Sequence, residues 1–333
     1  MKTLGIETSC DETGVALVDG GKVIADRVAT QEIHSRWGGV VPELASRLHQ
    51  RTLARMVNEI LADTGWDFKT IEAVAVTRGP GLIGALLVGV SYAKGIAVSC
   101  DVPFIGVNHL EAHLWSAEAA GNAIDLPALA LLVSGGHTEL IHINGLGDYK
   151  YLGGTLDDAA GEAFDKVGGL LGISYPAGEE LSNLALQGNP LAFYMPVART
   201  KQPLDFSFSG LKTAAAREVE KLKTSGEIGW EADLAASFQK AAVSQLVIRL
   251  HKALEKNNYK CVVLAGGVAA NSYLRERSRE AARKHGVGLV IPPIEMCTDN
   301  GAMIAWLGER LLVERGTDPL TFEADPNLSL VEV

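Results

Sequence analysis

Apolar and polar positions divide this chain into short apolar or alternating runs, which predict strands, and longer stretches with helical spacing. The first segment reads as strand, turn, strand, strand. Thr3–Thr8 and Thr13–Val18 are the first two strands, Asp19-Gly20-Gly21 makes a hairpin turn, and Lys22–Ala29 returns. From Val41 to Asp63, Leu44, Leu48, Leu53, Met56, Val57, Ile60 and Leu61 recur at helical spacing, with Pro42 near the start and Gly65 past the end. Ile71–Val76 predicts a short buried strand, and Gly79-Pro80-Gly81 a turn into an apolar helix through about Val98. Phe104–Val107 is another strand, and a helix follows from about Asn108.

The pattern then starts again. Pro127–Val133 is fully apolar, Ser134-Gly135-Gly136 is a tight turn, Thr138–Asn144 alternates, and Tyr149–Leu152 makes a third strand. Cys261–Ala265 runs into Gly266-Gly267 and a helix, and Gly288–Ile291 closes a further strand–helix unit. A repeated meander followed by alternating helices and strands predicts a duplicated α/β architecture. The expected organisation is a first lobe over 1–125, rejoined by a C-terminal helix from about 295, and a second lobe over 126–294. Residues 155–227 read as a mostly helical insertion containing the loop Arg199–Ser209.

Composition adds one anomaly. Glycine is 36 of 333 residues, about 11% against a usual ~7%. Lysine and arginine total 30 against 40 acidic residues, a net charge of −10, the opposite of a simple polybasic nucleic-acid binder. Cys10, Cys100, Cys261 and Cys297 form no CxxC pair, so neither a disulfide framework nor a zinc ribbon is indicated. The first residues lack a signal-peptide core, and the longest apolar run, Leu82–Val90, falls short of a membrane span. A cytoplasmic protein without a membrane segment is expected.

The glycines cluster in turns at strand ends: Glu7–Gly14, Arg78–Gly84, Ser134–Gly136 and Ala265–Gly267. Bare backbone amides at such turns can approach a phosphate, and a following helix adds a favourable dipole. Each turn alone could be no more than a corner that needs glycine. Their recurrence after matching strands of a duplicated fold favours a nucleotide-like ligand in a cleft between lobes.

His109 and His113 stand at i and i+4, on one helix face and able to share a metal ion. Glu111 lies about 200° around the helix from His109, and the pair is not HExxH, so a zincin lacks its base. A helix start with one capping and one half-exposed histidine would leave the same trace. A third ligand must come from afar; Asp299, in Cys297-Thr298-Asp299-Asn300-Gly301, is the best candidate, with helix N-capping as its alternative use. Two histidines and a carboxylate leave open positions that suit iron or a similar ion gripping substrate oxygens.

Together the motifs resemble the TsaD family, tRNA threonylcarbamoyladenosine transferases formerly called glycoproteases. The resemblance runs through Gly5–Thr13, Gly38–Arg47, Gly79–Leu82, His109–His113, Leu131–Thr138, Asp205–Thr213, Ala265–Val268 with Asn271, and Cys297–Gly301, in order along nearly the whole chain. It implies a duplicated actin-like, Hsp70-like, sugar-kinase-like (ASKHA) α/β fold with two lobes around a nucleotide cleft. It implies that His109, His113 and Asp299 bind a metal, iron first and zinc as the alternative. It also implies that Leu132, Val133, Ser134, Gly135, Gly136, Asp165, Gly178 and Asn271 contact the adenylate substrate. Around Gly178 the chain departs from the family pattern, reading Pro176-Ala177-Gly178-Glu179 where Gly-Gly-Pro often follows the proline.

The implied reaction moves a threonylcarbamoyl group from threonylcarbamoyl-AMP to the exocyclic N6 amine of adenosine 37 in tRNAs reading codons that begin with adenine, releasing AMP. Asp11, on the first turn, is the candidate to accept the amine proton or orient the amine, with turn capping as its alternative. The amides of Ser134, Gly135 and Gly136 are expected to cradle the AMP phosphate. Candidate RNA contacts are Arg47, Arg51 and Arg55 on one helix face, and Arg199, Lys201 and Lys212 in or near the insertion loop. Partners implied by the resemblance are tRNA, a paralogous ASKHA protein and a small ATPase, of the TsaB and TsaE types. The rival readings are an ATP-dependent small-molecule kinase of the same fold class, a metalloprotease, and a non-enzymatic nucleotide-binding partner protein.

Overall fold

Two five-stranded sheets with the same strand order organise the chain in a computed structural model that describes residues 1–331. The first compact unit comprises Met1–Asn122 and the chain from Pro292; the second is Ala123–Ile291.

In the first unit the elements are β1 (Lys2–Glu7), β2 (Glu12–Asp19), β3 (Lys22–Thr30), α1 (Pro42–Thr64), β4 (Ala73–Gly79), α2 (Ile83–Cys100), β5 (Phe104–Asn108) and α3 (His109–Ala119). The second holds β6 (Ala128–Val133), β7 (Thr138–Gly145), β8 (Asp148–Gly154), α4 (Ala160–Leu170), α5 (Gly178–Ala185), α6 (Ser209–Ser225), α7 (Glu231–Leu254), β9 (Cys261–Ala265), α8 (Ser272–His285) and β10 (Gly288–Val290). The chain then returns to the first unit as α9 (Gly301–Arg315). The strand orders are β3-β2-β1-β4-β5 and β8-β7-β6-β9-β10. In each, an antiparallel meander of three strands is extended by two parallel strands. The duplication expected from the pattern is present, strand for strand.

The core of the first unit forms because β1 and β2 place Leu4, Ile6, Val15 and Leu17 against the apolar stripe of α1, from Leu53 to Leu61. Each such side chain fully removed from water contributes about 1.5–3 kcal/mol. On the sheet's other face α9 packs at backbone contact. A Cβ on Gly5 would lie 2.5 Å from the Ala305 nitrogen, and one on Gly14 2.6 Å from the Gly301 nitrogen. Only glycine at these positions lets α9 lie so close, and this docking carries Asp299 to the end of β1. Helix α2 is long and apolar enough to cross a membrane by length and composition alone. Its Ala85, Leu86, Gly89, Val90, Ala93, Ile96 and Ala97 are buried within this unit.

The structure departs from the sequence pattern in three places. Strand β4 begins later than expected and runs on to Gly79, because polar Thr77 is not a strand end: its hydroxyl bonds buried Glu7. Helix α7 has no clear stripe, since sixteen of its residues are buried, Gln239, Gln245 and Arg249 among them; a helix covered nearly all round loses the amphipathic period. Within 155–227, helices α4, α5 and α6 leave a long irregular run between Ala185 and Ser209. Arg249 of α7 pins that run, donating to the carbonyls of Asp205 at 2.9 Å and Ala198 at 2.7 Å. Asp157 caps α6, accepting from the amides of Phe208 and Ser209 and from both the Ser207 and Ser209 hydroxyls.

Candidate active site

Two groups of predicted residues lie in different units and are chemically unlike. In the first unit β5 leads directly into α3, and Asn108 caps the helix, its Oδ1 accepting from the amides of Leu110 and Glu111. With Asn108 capping, His109 and His113 are both free for other use. Neither is half-exposed: they are 9% and 1% accessible. Their rings pack edge to face at 4.6 Å. Asp299 does not cap α9 either, since Asn300 does so by accepting from the Met303 amide at 2.9 Å. Asp299 Oδ1 instead lies 3.0 Å from His113 Nε2 and 3.5 Å from His109 Nε2. The ligand atoms of all three residues fall within 4.8 Å of one another. Ligands about 2.0–2.2 Å from a common ion would sit at similar mutual spacings. The imidazole and carboxylate donors therefore fit a divalent metal ion.

Behind this trio is a residue the sequence reading passed over. Glu7, fully buried at the end of β1, accepts from the Ser9 amide at 2.5 Å, the Thr77 hydroxyl at 2.5 Å and His109 Nδ1 at 3.1 Å. A charged residue closing a strand directly after Leu4, Gly5 and Ile6 was the available signal. Glu12 and Asp11 add to the same negative field. Burial first, then Asp299, Asp11 and Glu7, pushes the Glu12 carboxyl well up. Burial also raises Asp11, against a hydrogen bond from the Cys10 thiol that lowers it. At His109 burial disfavours the imidazolium, but Asp299 and Glu7 outweigh it and raise the group to about 9. The cluster as a whole favours a cation.

The second unit presents a turn rather than a carboxylate cluster. Leu132 and Val133 are fully buried in β6 and fix the turn that follows instead of offering side-chain surface. The Ser134 amide donates to the His137 carbonyl at 2.8 Å, and Ser134 Oγ accepts from the His137 amide at 3.0 Å. That leaves Gly135 and Gly136 as the amides of the turn with no partner among the described residues. A Cβ on either would meet nothing within 4 Å, and neither has a left-handed backbone. The fold does not require glycine there. Gly266 differs: its φ is +84° and a Cβ would lie 2.5 Å from the Val133 carbonyl oxygen, so the corner reading suffices for it.

Asp165, Gly178 and Asn271 are joined by one hydrogen-bond chain. Asp165 accepts from the Ala177 amide at 2.8 Å, and the Ser182 hydroxyl donates to the Gly178 carbonyl at 2.7 Å. Asn271 Nδ2 donates to Ser182 Oγ and to Gln239 Oε1, both at 2.8 Å, while its Oδ1 caps α8 through the Leu274 amide. The departure at Ala177 is accommodated: φ −95° and ψ −11° are ordinary for alanine, and its methyl packs on Gly168 of α4.

The basic candidates divide by their pairing. Arg47 pairs with Glu43 and Arg55 with Glu59 along α1, and Lys212 pairs with Asp158. Arg51, Arg199 and Lys201 are exposed with no ion pair among the described residues.

The chain is similar to known proteins over nearly its whole length. A relative from Dictyoglomus turgidum named tRNA N6-adenosine threonylcarbamoyltransferase is 48% identical over 334 residues, covering 100% of both chains. Another of that name from Symbiobacterium thermophilum is 48% identical, covering 98% of this chain and 96% of its own. Among solved structures, full-length HypF in its phosphate- and nucleotide-bound form matches with a TM-score of 0.61 at 15% identity, covering 95% of this chain and 47% of that one. The (R)-2-hydroxyglutaryl-CoA dehydratase component A of Acidaminococcus fermentans matches with a TM-score of 0.57 at 17% identity, covering 92% and 97%. These likenesses are of fold: the duplicated α/β architecture is the actin-like, Hsp70-like, sugar-kinase-like one. The profile described as TsaD, tRNA N6-adenosine threonylcarbamoyltransferase, matches residues 22–306, and the chain belongs to that family.

Proposed function

We propose that His109, His113 and Asp299 hold one divalent metal ion, iron first and zinc as the alternative, in an enzyme that moves a threonylcarbamoyl group from threonylcarbamoyl-AMP to the N6 amine of tRNA adenosine 37. The acyltransferase activity on tRNA follows from the family, which displaces the kinase and partner-protein readings. The observation that carries the metal assignment is the convergence of one ligand atom each from two buried imidazoles and Asp299, with the Glu7 carboxylate behind His109. When bound, the ion supplies a Lewis acid for phosphate or carbonyl oxygens.

The donor carbonyl is already activated as a mixed anhydride, so the chain needs no covalent nucleophile, and its work is positioning and charge stabilisation. The amides of Gly135 and Gly136 cradle the AMP phosphate, with the Ser134 hydroxyl rather than its spent amide beside them. Leu132 and Val133 hold that turn, while the chain from Asp165 through Gly178 to Asn271 keeps the adenosine end of the site in shape. Asp11, with its carboxyl raised by burial, accepts the proton leaving the amine. Arg51, Arg199 and Lys201 are the cations left for RNA. With a net charge of −10 the chain binds tRNA locally and weakly by itself. A paralogous TsaB-type protein and a TsaE-type ATPase complete the working assembly in the cytoplasm.

The test incubates the purified protein with tRNA, threonine, bicarbonate, ATP and the adenylate-forming enzyme, and seeks the modified nucleoside by mass. Product that depends on this chain supports the reading. No product even with the partner proteins added would sink it.

A further inference from the structure

We infer that Glu7 is a positioning residue for this site: its carboxylate fixes the orientation and tautomer of His109, so that Nε2 presents its lone pair toward Asp299 and His113. The inference rests on the metal reading above and adds a residue outside the ligand trio.

Glu7 is fully buried and closes a strand in which it is the sole buried charge, the other buried residues being Thr3, Leu4, Gly5 and Ile6. A lone carboxylate there would be costly. It is tolerated because each oxygen is engaged. Oε1 accepts the Ser9 amide, and Oε2 accepts both the Thr77 hydroxyl and His109 Nδ1. Thr77 is itself fully buried, on neighbouring β4. Sheet pairing of β1 with β4 therefore clamps Glu7, and Glu7 clamps the imidazole. Ser9 Oγ, 3.3 Å from the same ring nitrogen, restricts the ring further. Holding the proton on Nδ1 leaves Nε2 as the ligand atom and makes it more basic. The two histidines are thus unequal, for among the described residues His113 Nδ1 has no hydrogen-bond partner.

The carboxylate cannot be replaced by its amide without conflict. All three groups facing Glu7 are donors, whereas a glutamine side chain has one acceptor oxygen and one donating NH2. If the NH2 faces Ser9, two donors collide. If it faces His109, Nδ1 must become the acceptor, which moves the ring proton to Nε2 and blocks that atom as a ligand.

The test titrates the full chain with Co(II) and follows visible absorption and affinity. His113→Ala, which leaves Glu7 untouched, is the control for the metal reading: Co(II) bands unchanged in that variant would mean that the trio does not bind the ion. With the bands dependent on His113, Glu7→Gln is expected to weaken Co(II) binding about 10–100-fold and to alter the bands. A folded Glu7→Gln protein that binds within about twofold of the parent, with the same spectrum, overturns the inference while leaving the metal reading intact. Should Glu7→Gln fail to fold, Thr77→Val and Thr77→Ser decide. Weakened binding in the valine variant with parental binding in the serine variant supports the clamp, and equal affinities in both overturn it.

Discussion

The corner that follows the first strand of each sheet holds opposite chemistry in the two units. At the end of β1 stands buried Glu7, followed by Asp11 and Glu12, which together with Asp299 and two histidines form a field that favours a cation. After β6 come Ser134, Gly135 and Gly136, with two amides unpaired among the described residues and open space where side chains would be. Backbone amides without carboxylates suit an anion. Strand order and pairing are the same in both. Topology therefore sets where a ligand-facing corner lies, and a handful of residues sets the charge it accepts.

The comparison can be broken at either corner. The largest effect is expected at the cation side: His113→Ala or Asp299→Ala should lower transfer more than about 100-fold and abolish stoichiometric metal, with the thermal midpoint little changed. Nucleoside mass analysis and metal content on the same preparation check both halves. Asp11→Asn should keep its metal yet lose about 100-fold in kcat, read from single-turnover transfer to tRNA. An Asp11→Asn protein with full kcat would leave that aspartate only its turn.

On the anion side, Gly136→Ala should fold normally, because nothing lies within 4 Å of the added carbon, but should raise the KM for the adenylate about tenfold. Gly266→Ala should do the reverse, costing about 1–3 kcal/mol of stability from its left-handed backbone before any effect on binding. Denaturant melts alongside initial rates separate the two.

The smallest effect concerns pH, and it is alike in both units. Burial lowers His49 in the first unit, and burial followed by His285 lowers His251 in the second. His49 uses both ring nitrogens, on Thr13 Oγ1 and the Cys10 carbonyl, while His251 Nδ1 lies 2.9 Å from His285 Nε2. A histidine depressed in the folded state takes up its proton more readily when unfolded. The stability contributed by these two histidines is therefore present above about pH 6.5 and is lost as pH falls below it, while Glu12 and His109, both raised in the folded state, act in the opposite direction. Melts of the parent and of His251→Gln compared between about pH 7.5 and 5.5 isolate the histidine part: the variant should lose less stability than the parent, or gain more, on going to about pH 5.5.

Much of the architecture was legible in the sequence because alternation and helical spacing are local. The two meanders, α1, and the strand–turn–helix corners could be read directly. Helix α7 escaped because burial on nearly all sides erases its stripe, and β4 ran longer because Thr77 is polar for a partner on another strand. At the site, the i, i+4 histidines were visible as a pair, but their use was not. Asn108 and Asn300, each one residue before a helix, perform the caps that the sequence left equally open to His109 and Asp299. Which of two adjacent residues caps depends on backbone angles that residue type alone leaves open.

By itself the sequence determined the duplicated pattern, the histidine spacing, the bare glycine turns, and the motifs by which the chain resembles its family. Only the tertiary structure decided that Asp299 meets the histidines, because that contact depends on α9 packing at backbone distance over Gly5 and Gly14. It also decided that Glu7 stands behind His109 with Thr77 beside it. These are contacts between residues far apart in the chain. No local period encodes them, because they exist only once the sheets have paired and the helices have docked.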